Sequence, residues 1–160
     1  MTVRTGIGFD VHPLVAGRPL VLGGVTVPHF SGPKGHSDGD TLTHAVIDAA
    51  LGGAGLGDIG AHFPSSDASY EGIDSLVLLE RARDLIAASG WRVTYVDATI
   101  IAEEPKLSPF VSRMAKKLSA RLGLDENSVN VKAKTTDGLG FTGRREGIAA
   151  LAVATLESVV

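Results

Sequence analysis

The chain has 160 residues, 44% of them hydrophobic and 21% charged, enough apolar material for one buried core and too much for a disordered chain. Its net charge is −3 with acids and bases mixed along its length, so it lacks the basic stripe with which nucleic-acid binders neutralise phosphates. It contains no cysteine, which excludes disulfides, thiolate zinc sites and thiol nucleophiles and leaves any metal to histidine and carboxylate.

Residues Val3 to Val11 alternate, with Val3, Thr5, Ile7, Phe9 and Val11 on one face of a strand and Asp10 and His12 on the other. Leu20 to Val27 reads as a hairpin turning at Gly23-Gly24, and Ser31 to Gly39 as a polar loop. Asp40 is placed to N-cap a helix that runs to about Leu51 and ends at Gly52, Gly53 and Gly55. Gly57 to Gly72 is irregular, rich in Gly, Ser, Asp and Pro, and long for a structureless connection, which marks it as functional or mobile. Asp74 or Ser75 caps the next helix, with Leu78, Leu79, Ala82, Leu85 and Ile86 as its apolar stripe and Gly90 as its stop.

Trp91 to Ala102 is rich in β-branched residues and reads as a strand. Ser108-Pro109 supplies a cap and a first-turn proline for a helix that Gly123 ends, and Val129 to Thr135 is a further alternating strand. The alanines of Gly147 to Val160 favour helix, but Ile148, Ala150, Ala152 and Ala154 share one side of a strand. A strand is expected there, because a sheet built on the first strand needs a partner. No repeat, linker or composition shift divides the chain, so one α/β domain over residues 1–160 is expected. No run approaches the roughly 20 apolar residues of a membrane span, and the N-terminus lacks the apolar core of a signal peptide; a cytoplasmic location follows, with neither membrane nor nucleic acid as partner.

Asp10 and His12, two apart on a strand, point the same way and can reach one metal; an Asp-x-His pair is also a common solvated strand end. His44, on the first turns of the following helix, supplies a third ligand and leaves a fourth tetrahedral position open, as catalytic zinc requires. Asp48, one helical turn further, is either an acceptor orienting that imidazole or a solvated helix acid. The stretch from Gly35 to Asp40, with His36 and Ser37 at a helix N-terminus, can cradle a phosphate or be an ordinary capped loop. In Lys134-Thr135-Thr136-Asp137 the hydroxyls can donate to phosphate oxygens and Asp137 can hold a hard cation, although a polar turn after a strand has the same composition. Lys106 is a cation beside a proline turn or a plain surface lysine, and His29 and His62 read as surface histidines without partners. With no Walker loop and no G-x-G-x-x-G fingerprint, the residues describe a metal- and phosphate-handling enzyme of unnamed substrate.

Four stretches, GIGFDVHPL (6–14), GHSDGDTLTHAVIDAALGGAGLGDIGAHFP (35–64), EEPKLSP (103–109) and VKAKTTDGLGFTGRREGIAALAV (131–153), together resemble the 2-C-methyl-D-erythritol 2,4-cyclodiphosphate synthase family. They occur in that family's order and spacing over nearly the whole chain. The resemblance implies an α/β fold of α+β type, with a mixed four-stranded sheet, helices on one face, and a homotrimer whose sheets surround a central axis with shared active sites. It implies zinc (Zn2+) on Asp10, His12 and His44, and a second ion, Mg2+ or Mn2+, on Asp137. His36 and Thr135 match transition-state-stabilising positions, and Ser37 sits with His36 on the phosphates.

For the substrate, Asp58, Ile59 and Gly60 match positions around its hydroxyls. Phe63, Pro64, Ser65, Ser66 and Asp67 match a substrate-contacting loop. Ala102, Pro105, Lys106, Leu107 and Ser108 match the rim of a cytosine pocket, flanked by Lys134 and Thr136. Phe141 and Arg144 match residues near the trimer axis, where some members bind an isoprenoid diphosphate. Two positions depart from the usual pattern: Asp137 stands where glutamate is frequent, and Ser65 where aspartate is frequent. The implied reaction converts 4-diphosphocytidyl-2-C-methyl-D-erythritol 2-phosphate to the cyclodiphosphate with release of CMP, a metal-dependent lyase step of non-mevalonate isoprenoid biosynthesis. A zinc-dependent phosphate-ester hydrolase with Asp38 or Asp48 as base, and a non-catalytic isoprenoid-diphosphate binder, are the rival readings.

Overall fold

The computed structural model describes residues 1–159. Its centre is a five-stranded mixed sheet in the order β4-β1-β7-β5-β6, formed by β1 (Val3–Ala16), β4 (Ser31–Pro33), β5 (Trp91–Ile101), β6 (Val129–Lys134) and β7 (Gly147–Ser158). Only β5 and β6 run parallel; every other pairing is antiparallel. A separate hairpin, β2 (Leu20–Leu22) with β3 (Val25–Val27), turns at Gly23-Gly24 as expected. The sheet thus has five strands and not four. The additional one, β4, is the start of the expected loop, where Ser31, Gly32 and Pro33 pair with Ala16, Val15 and Leu14. Gly147 to Ser158 is a strand and the partner that β1 required; Val160, the last residue of that expected strand, lies outside the described residues.

Helix α1 (Thr41–Ala54) is buried along almost its whole length against the sheet. Its small residues Ala45, Ala49 and Gly53 recur every four positions and so form one stripe. That stripe lies on Gly6 and Gly8 of β1, where an added Cβ would stand 1.9 Å from the carbonyl oxygens of Ala49 and Ala45 respectively. Glycine is therefore required at both positions by the close approach of helix to strand, not by a ligand. Asp40 caps α1 through the Thr43 N–H, and its carboxylate also accepts from the N–H groups of Gly23 and Gly24, tying the hairpin turn to the helix start. The helix continues through Gly52 and Gly53 and stops at Gly55, which adopts the left-handed conformation of a C-cap.

The irregular stretch contains a short helix, α2 (Ile59–His62), and a 3-10 turn over Ala68–Tyr70. Helix α3 (Ser75–Ala88) is capped by Asp74, and it buries Leu78, Leu79, Ala82 and Ile86 but leaves Leu85 exposed at its edge. Helix α4 (Val111–Leu122) begins two residues later than the Ser108-Pro109 signal indicated, with Phe110 at the cap position, and ends at Gly123 as expected. A final short helix, α5 (Gly140–Gly143), leads into β7. The opposite face of the sheet is open in the single chain: Ile7 is 74% and Phe9 52% exposed, and Val3, Val11, Tyr95, Leu151 and Val153 are exposed beside them. The alternation of β1 is real, but its apolar side faces outward and its glycine side faces the helix. Among the described residues, no helix is long and apolar enough to cross a membrane.

Candidate metal centre and active site

Asp10 and His12 share the helix-facing side of β1, and α1 rests close enough to bring His44 onto them. Asp10 Oδ2 lies 2.7 Å from His12 Nε2 and 3.1 Å from His44 Nδ1, and the two ring nitrogens are 3.2 Å apart. Tetrahedral zinc with ligands at 2.0–2.2 Å would space its donors about 3.3 Å apart, so the cluster needs only a slight expansion to hold the ion. His12 Nδ1–H donates to the Lys34 carbonyl at 2.8 Å, so in the neutral ring Nε2 is a bare acceptor pointing at Asp10. A carboxylate and an imidazole lone pair in contact repel unless a cation or proton lies between them, and this donor set fits a metal.

The same logic governs titration in the metal-free protein. Burial works against charge on both residues. The hydrogen bonds and charges exchanged with the imidazoles nevertheless hold the Asp10 carboxyl below its ordinary range, and those of Asp10 hold His12 above its own.

His44 Nε2, on the far side of its ring, meets Ser75 Oγ at 2.8 Å and Ser37 Oγ at 3.0 Å. Ser75 Oγ in turn donates to Asp38, whose other carboxylate oxygen accepts from the Ser75 N–H. Asp48 does not orient His44: it is half-buried and accepts the Ile59 N–H at 2.8 Å, fixing the start of α2 to α1. Burial raises its carboxyl above the ordinary range. Asp38 and Asp48, the two bases a hydrolase would use, are both committed to backbone donors. Ser75 carries no motif that distinguishes it from an ordinary residue of a first helical turn, so only the folded chain reveals its contact with His44.

A cavity of about 220 Å³ opens on the cluster and is lined by Asp10, His12, His36, Ser37, His44, Ile59, Gly60, Phe63 and Ser65, together with Tyr70 and Leu78. Asp58 caps α2 at its edge through the Ala61 N–H, and His36 Nε2 donates to the Asp67 carbonyl at 2.9 Å. Pro64 and Ser66 lie exposed on the same loop. His62, expected without a partner, meets the Leu56 carbonyl at 2.7 Å.

A second cavity, about 280 Å³, gathers Ala102, Pro105, Lys106, Leu107, Ser108, Lys134 and Thr135 at the ends of β5 and β6. Beside it Asp137, left-handed at φ 53°, stands 3.4 Å from the Thr135 hydroxyl. Glu103 accepts the N–H groups of Thr136 and Gly138 and so holds this turn in shape. The two groups of expected site residues therefore line separate cavities of one chain. Phe141 packs at Gly147 and Arg144 pairs with Glu146 at 3.2 Å, apart from both cavities. A larger opening of about 430 Å³, between the ends of α3, α4 and β5, contains none of the expected site residues.

The fold and the site define an α/β protein with an open, three-ligand carboxylate–imidazole cluster able to hold a metal. Residues 3–157 match the YgbB family. The chain is 58% identical over 153 residues to the 2-C-methyl-D-erythritol 2,4-cyclodiphosphate synthase of Bordetella pertussis, covering 96% of this chain and 94% of that one. It superposes on the bifunctional IspDF of Campylobacter jejuni with a TM-score of 0.94 at 43% identity, covering 98% of this chain but only 42% of that longer protein. On IspF of Plasmodium falciparum in its CDP complex the TM-score is 0.85 at 33% identity, with 99% and 97% covered. The chain belongs to the YgbB family, the family of the 2-C-methyl-D-erythritol 2,4-cyclodiphosphate synthases.

Proposed function

We propose that the chain, acting as one catalytic domain, converts 4-diphosphocytidyl-2-C-methyl-D-erythritol 2-phosphate to 2-C-methyl-D-erythritol 2,4-cyclodiphosphate and CMP. The observation that carries this reading is the convergence of Asp10, His12 and His44 on a cavity that also holds His36 and Ser37, in a chain 58% identical to a protein of that name. An oxygen of the 2-phosphate attacks the β-phosphorus of the substrate's own diphosphate. The bond from that phosphorus to the bridging oxygen breaks, and CMP departs with the electron pair. No protein nucleophile is required. The chain's task is to hold two repelling anions in line and to stabilise the charge that develops.

Zinc on Asp10, His12 and His44, with Mg2+ or Mn2+ on Asp137, would supply Lewis-acid polarisation of the diphosphate. Donors from His36, Ser37, Thr135 and Thr136 take the remaining phosphate charge, with Lys134 beside them. Asp58, Ile59 and Gly60 hold the erythritol hydroxyls, and Phe63, Pro64, Ser65, Ser66 and Asp67 close over them. Ala102, Pro105, Lys106, Leu107 and Ser108 rim the cytosine.

Because these groups line two cavities of one chain, the complete site is read as shared between neighbours in a homotrimer, with Phe141 and Arg144 near its axis as the place for an isoprenoid diphosphate. A cytoplasmic location accords with a phosphorylated, soluble substrate. Incubation with substrate followed by phosphorus NMR tests the reading: the cyclic diphosphate and CMP are expected. His44→Ala should lower turnover at least about 10²-fold, the scale on which one charge stabiliser acts. Linear phosphate products, or CMP release undiminished in that variant, would overturn it.

A further inference from the structure

Ser75 and Asp38 lie behind the metal cluster and touch neither the cavity nor the ligand atoms. Ser75 is fully buried at the first position of α3, and its hydroxyl is shared by three neighbours: Asp38, His44 Nε2 at 2.8 Å and, more distantly, Ser37 Oγ at 3.4 Å. A serine hydroxyl has one proton to give. The Asp38 carboxylate can only accept, and it lies nearest, so the Ser75 proton is committed to it. What remains on Ser75 Oγ toward His44 is a lone pair, and a lone pair requires His44 Nε2 to carry the hydrogen. In the neutral ring the opposite nitrogen, Nδ1, is then bare and faces Asp10 at 3.1 Å and His12, an arrangement that a cation between them completes.

We propose that Asp38 and Ser75 form a positioning relay that sets the tautomer of His44, and thereby makes its Nδ1 a metal ligand. The inference rests on the reading of Asp10, His12 and His44 as the metal centre, and assigns the two residues that prepare one of its ligands. The relay also frees Ser37. Its oxygen lies 3.0 Å from the same Nε2–H and accepts from the Gly39 N–H, so its own proton is not needed by His44 and remains for a phosphate oxygen. His12 is set differently, by a main-chain carbonyl that no side-chain substitution removes. The relay on His44 is consequently the part of the centre that side-chain changes can separate from the ligands themselves.

Two variants test it, Ser75→Ala and Asp38→Asn. In Ser75→Ala the hydroxyl is lost without added bulk, and Asp74 still caps α3. Ser37 becomes the remaining partner of Nε2 and can either donate or accept, so the tautomer is no longer fixed. In Asp38→Asn the acceptor that commits the Ser75 proton is weakened. The first measurement is the long-range proton–nitrogen NMR spectrum of histidine-labelled, metal-free protein, roughly two pH units above the ordinary histidine value. His44 in the parent chain should keep its hydrogen on Nε2 against the pull of the Asp10 carboxylate on Nδ1, and in both variants the form with a bare Nε2 should become populated. The second measurement is zinc affinity by chelator competition, which should fall about 10–100-fold, as for other changes behind metal-bound histidines.

If His44 in both variants keeps Nε2 as fully protonated as in the parent chain, and zinc binds within about threefold of the parent value, the relay is overturned. Because the tautomer is read without metal, it decides the relay independently of the metal centre. Zinc titration of the parent chain against His44→Ala decides the metal centre itself.

Discussion

Asp10 and His12 stabilise one another in the metal-free protein only while the first is ionised and the second protonated. The Asp10 carboxyl titrates below its ordinary 3.8 and the His12 ring above its ordinary 6.5. A lowered carboxyl value contributes stability that is present above 3.8 and lost as pH falls through the folded value. A raised imidazole value contributes stability that is present below 6.5 and lost as pH rises through the folded value. The pair therefore contributes most between 3.8 and 6.5. Zinc reverses the upper limit, since only a neutral ring ligates, and its stabilisation should grow as pH rises above 6.5. Melting temperatures from about pH 4 to about pH 9, with and without zinc, should show a gap that widens upward; a constant gap would remove His12 from the centre. The ligands were legible because Asp10 and His12 stand two apart on an alternating strand and His44 follows a helix cap. Ser75 was not, because its contact with His44 joins positions 31 residues apart and leaves no local pattern.

Helix α1 reaches the cluster only because β1 has hydrogen atoms where other strands have side chains. An added Cβ at Gly8 would stand 1.9 Å from the Ala45 carbonyl and 2.6 Å from the Ala49 N–H, backbone atoms that cannot yield without moving the helix. Gly8→Ala should cost at least about 2 kcal/mol, a fall of about 4–8 °C in melting temperature for a chain of this size. It should also weaken zinc binding, because His44 moves with α1. Gly52→Ala is the control: its nearest neighbour would be 3.8 Å away, and the position is helical without a left-handed backbone. There the gain in helix propensity should stabilise by up to about 1 kcal/mol. Equal effects of the two substitutions in thermal unfolding would contradict the close-packing account. The period of β1 could be read from the chain, but the buried face could not, since glycine contributes no hydropathy and the apolar residues pointed the other way. β4 escaped for a related reason: three residues, one Gly and one Pro, are too few to show alternation and become a strand only by pairing with the end of β1.

The open face of the sheet sets the scale of the molecule. Cross-strand partners Ile7 with Val153 and Phe9 with Leu151 place four exposed apolar side chains side by side on β1 and β7, with Val11 next to them. Each would contribute roughly 1.5–3 kcal/mol if buried, and a patch of this kind is a mark of association. A trimer of the proposed kind would cover it, and would complete the site if the cavity at Asp10, His12 and His44 of one chain met the turn at Thr135 and Asp137 of a neighbour. Ile7→Asp separates the alternatives. On a free surface such a change is nearly neutral, within about 0.5 kcal/mol. In a closed interface it buries an unpaired charge and should release monomers. Sedimentation should therefore show the mass falling from three chains toward one, with cyclisation lost. Zinc affinity should be retained, because all three ligands of the cluster belong to a single chain. An Ile7→Asp protein of unchanged mass and full activity would remove this face from the interface between chains, and a parent chain that is fully active as a monomer would return the whole active site to one chain.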